Sequence, residues 1–343
     1  MLSCAHHAMS LAVTCTLALT PATAQAGQIW FGGMDPVTTA DRERVGQDPP
    51  GTYAANDFMN LFRPNALWTR AASTIQVFQV STQFLHRSTD EQLSTVINDL
   101  RRRHIALAVT AEIMQASQCS HGIPGFSGID VWRTVVDRVG RLGAKIDYVE
   151  FDGPVAYAHY NIMQKDTACK YTIEELVRNI APQIQVIKTA FPDAKFGDGE
   201  PVNGLTIGKM DDNLQFATEF FRQTGARLSF MDADIIWYEK TFRSQLAEWR
   251  RRLHEAGITY GAYINGSACC DKTDLQWTQH AIERYGLVAN DPAIKPDNYI
   301  IYSWMQHPAR FLPETQPGTL TSVVVQTVGR GQNSPLARGP GLK

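Results

Sequence analysis

Short apolar runs alternate with longer amphipathic segments along most of this chain. The short runs are rich in β-branched and aromatic residues and end in polar or glycine-containing turns, a pattern that predicts buried β-strands. Eight strands are predicted, at Ile29–Asp35, Ile75–Ser81, Ile105–Ile113, Tyr148–Pro154, Lys195–Pro201, Leu228–Asp234, Thr259–Gly266 and Tyr299–Met305.

The longer segments between the strands repeat their apolar residues at helical spacing. After Thr89, which is suited to cap a helix, apolar side chains recur at Leu93, Val96, Ile97 and Leu100. By the same reasoning, helices are predicted within residues 56–72, 89–103, 130–143, 172–191, 211–225, 241–257 and 274–286. Three of these segments end at a glycine placed to close the last turn, namely Gly143, Gly225 and Gly257.

The alternation of strands and helices predicts parallel pairing. Eight such units match the size of a (β/α)8 TIM barrel, a fold of the α/β class, and we predict one barrel domain over residues 27–328. The rival α/β architecture is an open doubly wound sheet, which would need a glycine-rich phosphate loop after an early strand. The segment "FGGMDP" after the first strand lacks that glycine spacing, which favours the barrel.

The two termini differ from this repeating pattern. Met9–Leu19 is a short apolar stretch and Ala24–Ala26 fits a signal-peptide cleavage site, so residues 1–26 are predicted to be removed on export. The competing interpretation of this stretch is a buried N-terminal helix. The Gly- and Pro-rich residues 329–343 are predicted to form a disordered tail. The mature protein is therefore predicted to be secreted or periplasmic.

Cysteines outside the predicted signal peptide suggest disulfide bonds, because the protein is expected to be exported. They are Cys119, Cys169, Cys269 and Cys270, and three connectivities are possible. We predict a Cys119–Cys169 bond and a vicinal Cys269–Cys270 bond. The alternative is one bridge between loops together with free thiols. None of these cysteines has a spacing suited to zinc.

Charge and hydropathy argue against several classes of partner. The formal net charge of −2 gives no general attraction to nucleic acid or to an anionic membrane. No apolar run after residue 26 is long enough to cross a bilayer. We expect a monomer that uses no cofactor, and we assign no metal ligands.

Carboxylates recur where the predicted strands end, which in a TIM barrel is the catalytic face. On the fourth strand Glu150 and Asp152 alternate with apolar residues, so period-two geometry places both acids on one face. The fifth and sixth strands carry acids at the same i, i+2 spacing, and we predict that all these pairs share one mouth. The residues concerned are Glu112, Glu150, Asp152, Asp198, Glu200, Asp232 and Asp234, with Asn265 at the end of the seventh strand.

A buried set of carboxylates is costly, because each charge is desolvated and like charges raise one another's pKa. Hydrolysis of a glycosidic bond requires such a set, with one acid protonated to assist the leaving oxygen and another ionised. The structural alternative is a network in which the acids pair with cations or backbone groups. Aromatic residues predicted at the same mouth would stack on sugar rings, and they are Trp30, Trp237, Tyr238, Tyr263 and Trp304.

Several short segments carry a resemblance to a known class of proteins. With "FDGP", "GDGEP" and "DADIIW", the chain resembles exported bacterial (β/α)8 proteins of the glycoside-hydrolase kind. "GDGEP" is similar to the Asn-Glu-Pro of the retaining clan that includes cellulases and β-galactosidases, but no acid ends the seventh strand here. The α-galactosidase-type barrels place an Asp nucleophile after the fourth strand and an Asp acid/base after the sixth, positions that Asp152 and Asp234 occupy.

The resemblance to the α-galactosidase-type barrels implies a role for each candidate. Asp152 would be the nucleophile and Asp234 the acid/base, while Glu200, a third catalytic candidate, would bind hydroxyls or tune pKa values, as would Glu112. The predicted substrate-binding residues are Glu112, Glu150, Asp198, Asp232, Trp237, Tyr263, Asn265 and Trp304.

The predicted function is that of a secreted glycoside hydrolase acting on a poly- or oligosaccharide. One alternative is a non-catalytic carbohydrate-binding barrel, which would keep the aromatic residues and lose one member of the acid pair. A second alternative is a metal-dependent hydrolase barrel, which would gather histidines at strand ends. The histidines near the predicted mouth occur singly in loops, which disfavours a metal centre; they are His86, His121, His159 and His307.

Overall fold

The protein is described from a computed structural model. The structure describes residues 27–44, 57–120, 122–164, 168–202, 210–267, 270–304 and 306–328. The predicted signal peptide, the predicted tail, His121 and Cys269 lie outside these residues. The predictions made for them therefore stay predictions.

Parallel strands close into one barrel, which confirms the predicted (β/α)8 fold. Each strand pairs with its neighbours in chain order, and the first strand closes the ring by pairing with the last. Every predicted strand is confirmed, with ends displaced by at most two residues. The strands are β1 (Gln28–Gly33), β2 (Val77–Ser81), β3 (Ala106–Ala111), β4 (Tyr148–Asp152), β5 (Lys195–Val202), β6 (Leu228–Ile235), β7 (Thr259–Ile264) and β8 (Asn298–Ser303).

Helices surround the barrel and follow the predicted order. They are α1 (Pro36–Arg44), α2 (Thr69–Ala72), α3 (Thr82–Arg87), α4 (Asp90–Arg103), α5 (Val131–Arg141), α6 (Ile173–Ala190), α7 (Met210–Thr224), α8 (Phe242–Glu255), α9 (Asp274–Asn290) and α10 (Leu320–Val328). The single helix predicted over 56–72 is instead a 3-10 helix at Phe58–Phe62 followed by α2, and Pro64 lies between them. The sequence patterns did not predict α1, α3 or α10.

Local hydrogen bonds explain where the long helices begin and end. Thr89 accepts the backbone N–H of Gln92, whose side chain accepts the N–H of Thr89 in return, and Thr172 and Glu175 form the same reciprocal pair before α6. These caps satisfy N–H groups that have no partner within the helix. The predicted closing glycines have the left-handed conformation that favours glycine, with φ angles of 61°, 66° and 73° at Gly143, Gly225 and Gly257.

A cluster of aromatic side chains fills the N-terminal end of the barrel lumen. Trp30 is fully buried, and its ring centroid lies 4.7 Å from that of Tyr148 and 5.2 Å from that of Phe230. Tyr148 begins β4, so this cluster lies at the opposite end of the barrel from the strand ends that carry acids. The prediction that Trp30 lines the mouth is therefore wrong. These aromatic side chains fill this end of the lumen, so the candidate site lies toward the C-terminal face.

A disulfide bond joins Cys119 and Cys169, as predicted. It ties the loop that follows β3 to the loop that follows β4, with Cα atoms 4.8 Å apart. The predicted Cys269–Cys270 bond includes a residue outside the described ranges. Within those ranges, no helix is long and apolar enough to cross a membrane.

Candidate active site

Strand β4 directs its acids into the barrel lumen, as the alternation of its residues predicts. Val149 and Phe151 pack in the core between barrel and helices, whereas Tyr148 packs inside the lumen. Glu150 and Asp152 share the lumen-facing side with Tyr148 because strand side chains alternate with a period of two. The strand therefore places one acid deep in the lumen and one at its mouth.

Strand β5 has the opposite orientation, which corrects one part of the sequence prediction. Its lumen-facing positions are glycines, since a Cβ at Gly197 would collide with Phe230 and one at Gly199 would collide with Glu150. Asp198 and Glu200 lie at the alternate positions and face the surrounding helices. The predicted convergence of three acid pairs on one mouth is therefore wrong for this pair. Two strands, β4 and β6, supply the paired acids of the lumen.

Glu200 organises the turn that follows β4. Its two carboxylate oxygens accept the backbone N–H groups of Val155 and Ala156, at 2.8 Å and 3.0 Å. These residues begin a π-helix, Val155–His159, that lies directly after the mouth residue Asp152. Such irregular helical turns are frequent at functional sites. In this position Glu200 acts on the site through the backbone of the turn.

The Asp198–Glu200 pair holds at least one proton near neutral pH. Both carboxyl groups are buried, and among the described residues the carboxyl of Asp198 has no hydrogen-bond partner other than Glu200. Burial, followed by the charge of Glu200, raises the pKa of Asp198 well above its usual range. Burial also raises the pKa of Glu200 to about 8, against the lowering effect of its backbone hydrogen bonds. We infer that Asp198 is protonated and donates to Glu200.

A second carboxyl pair, Glu150 and Asp232, lies deep in the lumen. Tyr263 donates its hydroxyl to Glu150 at 2.7 Å, and the side-chain amide of Gln79 also donates to Glu150. Asp232 is fully buried, and Glu150 is its hydrogen-bond partner. Two carboxyls in contact without a cation must share a proton, because two adjacent charges repel each other in a medium of low dielectric constant.

Glycines create the space for this buried pair. The position of Gly199 on β5 lies against the Glu150 carboxyl, and that of Gly261 on β7 lies against the Asp232 carboxyl. A side chain at either position would collide with the neighbouring acid. Burial raises the pKa of Glu150 to about 7, while the hydrogen bond to Asp232 opposes this rise; burial, the charge of Glu150 and the same hydrogen bond raise the pKa of Asp232 well above its usual range. Asp232 is therefore the protonated member of the pair.

Three half-buried carboxyls lie above this pair at the mouth: Asp152, Asp234 and Glu112. Asp152 accepts the backbone N–H of Gly125, in the loop after β3. The side chain of Asn265 hydrogen-bonds Asp234. Asp152 and Asp234 are thus each held by a group from a neighbouring barrel unit.

The mouth acids influence one another. Burial and the charge of Asp152 raise the pKa of Asp234 to about 7. The same two causes raise the pKa of Glu112 to about 7, although a hydrogen bond from Gln83 opposes them. Burial raises the pKa of Asp152 itself to about 6, which is the lowest value of the three. As pH rises, Asp152 therefore ionises first, while its neighbours still hold protons.

Cations contribute little to this arrangement. Arg87 has a small effect on Glu112, and no Lys, Arg or His within the described ranges forms an ion pair with Asp152 or Asp234. Among the residues that the structure describes, the structural alternative, in which each acid is neutralised by a cation, is therefore not found at these two acids. Nor do the residues that the structure describes gather His, Cys, Asp and Glu into a group that would hold a metal ion.

Aromatic residues around the mouth occupy three different settings. Trp304, at the end of β8, is half-buried and packs edge-on against Tyr263 at 5.5 Å between ring centroids. Tyr238 is 75% exposed. Trp237 uses its indole N–H to donate to Asn265 at 2.9 Å. Trp304 is therefore the half-buried aromatic residue of this group that packs directly on a side chain bound to the lumen acid Glu150.

Tyr157 is a site residue that the sequence did not single out. It lies in the π-helix, and its ring packs on Gly153, where a Cβ would collide with it. The charges of Asp152, Asp234 and Glu200 add to burial and raise the pKa of the Tyr157 hydroxyl well above its usual range, so the phenol lies among all three acids. The available sequence signal was that Tyr157 lies in the turn five residues after Asp152. Its orientation could not be predicted by strand alternation, because the strand ends at Asp152.

The raised pKa values predict that the folded protein is more stable in mild acid. In the unfolded chain these carboxyls lose their protons near pH 4. In the folded chain the pKa of Asp152 is about 6, and the pKa values of Glu112 and Glu150 are about 7, so the protons are held to higher pH. The stabilisation is complete below the unfolded pKa values and is lost as pH rises through the folded ones. We expect Tm to fall by about 5 °C or more between pH 5 and pH 8.

This pH dependence is measured by thermal unfolding at several pH values, with the Asp232→Asn variant beside the wild type. An amide N–H at this position replaces the shared proton in the bond to Glu150, so the variant should show a weaker fall in Tm. A wild-type Tm that is flat or rises between pH 5 and pH 8 would show that the buried carboxyls are not protonated as described.

Comparison with known proteins supports the fold. No protein-family model and no curated protein sequence matches the chain. The structure of a GH10 protein from Paenibacillus barcinonensis matches with a TM-score of 0.52 and 9% identity, over 91% of this chain and 97% of that one. A GH10 xylanase from Thermobacillus composti gives a TM-score of 0.47 and 12% identity over 88% and 97%.

A further match is the family 26 glycoside hydrolase endo-β-1,4-mannanase of Cellulomonas fimi, with a TM-score of 0.47 and 12% identity over 88% of this chain and 70% of that one. At 9% identity, the likeness to the Paenibacillus barcinonensis structure shows a common barrel fold. The resemblance to glycoside-hydrolase barrels, predicted at the level of architecture, is confirmed at that level.

Proposed function

We propose that the protein hydrolyses glycosidic bonds with Asp152 and Asp234 as its catalytic carboxyls. The observation that carries this proposal is the setting of these two acids. They face one mouth, the charge of Asp152 acts on Asp234, and the residues described offer neither of them a cationic partner. A protein selected for stability alone would avoid such a pair, because bringing two carboxyls together and removing them partly from water is costly.

The difference between the two pKa values supports a role for each acid. Between about pH 6 and pH 7, Asp152 is mostly ionised and Asp234 still holds its proton. Asp152 then attacks the anomeric carbon as the nucleophile, and Asp234 gives its proton to the leaving oxygen as that bond breaks. In the second half of the reaction the Asp234 carboxylate takes a proton from the water that displaces Asp152. These roles agree with those that the family resemblance implies.

The remaining mouth residues support substrate binding. Glu112 follows β3, which lies beside β4 in the barrel. In this proposal the carboxyl of Glu112 binds a sugar hydroxyl near Asp152 or tunes the pKa of Asp152. Trp304 offers the stacking surface. In this proposal Glu200 has a positioning role rather than the catalytic one predicted from the sequence, because its oxygens are occupied by the backbone of the turn.

The substrate is expected outside the cytoplasm. The Cys119–Cys169 bond supports this location, because disulfides persist in oxidising compartments. It agrees with the signal peptide predicted from residues 1–26. A secreted or periplasmic enzyme that acts on a poly- or oligosaccharide is the proposal that unites these features.

The proposal is tested by incubating the wild-type protein with a panel of soluble glycans and measuring both product release and binding. Hydrolysis of at least one glycan is expected, and the anomer first released, followed by NMR, should retain the configuration of the substrate, as a covalent intermediate on Asp152 requires. Binding of a glycan without hydrolysis would overturn the proposal in favour of a non-catalytic carbohydrate-binding barrel.

A further inference from the structure

Asn265, which follows β7, is held in place from two sides. The indole N–H of Trp237 donates to its side-chain oxygen at 2.9 Å, and Nη1 of Arg284 donates to its backbone oxygen at 2.8 Å. The residue is 8% exposed, so these bonds are shielded from water. Both the backbone and the side chain of Asn265 are therefore fixed.

The bond from Trp237 determines which way the Asn265 amide points. An indole N–H can only donate, so the atom that faces it must be the amide oxygen, Oδ1. The amide nitrogen Nδ2 is then directed away from Trp237. Asn265 also acts on Asp234 and lowers the pKa of that carboxyl, and with Oδ1 occupied by the indole the group available for this interaction is Nδ2–H.

The ring of Trp237 is largely covered by protein. The guanidinium of Arg284 lies 5.2 Å from the centre of the ring, in cation–π contact with its face. Phe242 packs against the same side chain, with its ring centroid 5.6 Å away and its plane tilted by 55°. A sugar ring that stacks on Trp237 would have to compete with these contacts. The role of sugar platform predicted for Trp237 therefore has little support from this geometry.

We propose that Trp237 is a positioning residue, whose indole N–H orients the Asn265 amide so that the amide donates to Asp234. This inference rests on the proposed function only in that Asp234 is taken as the acid/base; the hydrogen-bond chain itself does not depend on that role. The titratable groups that act on Asp234 from neighbouring elements are Asp152 of β4 and Tyr157 of the turn that follows β4.

The test uses Trp237→Phe, which removes the N–H and keeps an aromatic ring beside Arg284. Without its donor, Asn265 is free to rotate, and the bond that favours the ionised form of Asp234 weakens. We expect the Asp234 carboxyl, followed by 13C NMR, to titrate about one pH unit higher than in the wild type. Asn265→Leu should give the same shift in the Asp234 titration. The variant that combines Trp237→Phe with Asn265→Leu should give no larger shift than either change alone, because both changes break the same chain of hydrogen bonds.

Tyr238→Phe is the matched control, because it changes the exposed neighbouring aromatic residue and should leave the Asp234 titration unchanged. An unchanged titration in Trp237→Phe, with Asn265→Leu shifted, would overturn the role of the indole. No shift in either variant would overturn the whole chain of bonds.

A second measurement separates this inference from the proposed function. On a glycan that the wild type cleaves, Trp237→Phe should shift the alkaline limb of the pH–rate profile to higher pH. KM should change by less than about twofold, because the Trp237 ring binds no sugar. A several-fold rise in KM with an unmoved limb would instead show that Trp237 is a sugar platform and would overturn the inference. If the wild type cleaves no glycan, the NMR titration still decides the positioning role.

Discussion

Replacement of Asp152 with asparagine is expected to lower kcat/KM for glycoside hydrolysis by about 10⁴-fold or more. The amide has nearly the same shape as the carboxylate and can still accept the backbone N–H of Gly125, so the fold should be preserved. It carries no charge and cannot attack the anomeric carbon. Initial rates on a glycan that the wild type cleaves measure the loss, and circular dichroism with a thermal melt checks the fold.

The matched control for this variant is Asp137→Asn, the same substitution on the exposed face of α5. It should leave the rate unchanged, since surface carboxylates contribute little to either stability or the site. A folded Asp152→Asn variant that keeps a tenth or more of the wild-type rate would exclude Asp152 as the nucleophile. In that case Glu112, which follows the adjacent strand β3, would become the first candidate for the role.

Replacement of Asp234 with asparagine is expected to slow hydrolysis by an amount that depends on the leaving group. On a natural glycoside, whose sugar hydroxyl leaves only with a proton, the loss should be about 10²- to 10⁴-fold. On an aryl glycoside that releases an acidic phenol, bond breaking needs no proton and the loss in that step should be much smaller. Rates on the two substrates, measured side by side, give the ratio that identifies the acid.

The pH–rate profile provides the control for the Asp234 variant. The wild type should lose activity above about pH 7 as Asp234 loses its proton, and that alkaline limb should be absent from Asp234→Asn. An equal loss on both substrates, with the limb unchanged, would show that Asp234 supports the site structurally and does not donate the proton.

The placement of the acids on β4 was predictable because apolar and acidic residues alternate there. On β5 the same i, i+2 spacing led to the wrong prediction that the acids face the lumen. Asp198 and Glu200 lie on the same side of the strand as Phe196, which packs against the helices. An apolar neighbour does not decide the matter alone, because Phe230 of β6 shares a face with Asp232 and Asp234 and points into the lumen. The orientation depends on which positions the rest of the barrel can fill, and this information is not local.

The helices show a similar limit. Segments with long 3.6-residue periodicity were predicted, whereas α10 was not, because its "LTSVVVQTV" sequence is rich in β-branched residues that favour strands. Its helical form depends on burial against the rest of the barrel, where Leu320, Val323 and Val324 join the core. Tertiary packing thus overrides local propensity at the last helix.

The contacts that define the mouth are likewise between residues distant in sequence. Glu200 binds the turn at Val155 and Ala156 from more than forty residues away, and Trp237 reaches Asn265 across 28 residues. Sequence patterns indicated which strand ends carry acids and amides. They did not indicate which of these groups bind one another, because that depends on the closure of the barrel.

The titration of Asp234 in the wild type and in Asp152→Asn, followed by 13C NMR of the side-chain carboxyl, tests the central claim most directly, because it needs no substrate. If the two acids face each other across one mouth, Asp234 titrates near pH 7 in the wild type, and its pKa falls when the charge of Asp152 is removed. An Asp234 that titrates near its ordinary value of about 4 in both proteins would contradict the account.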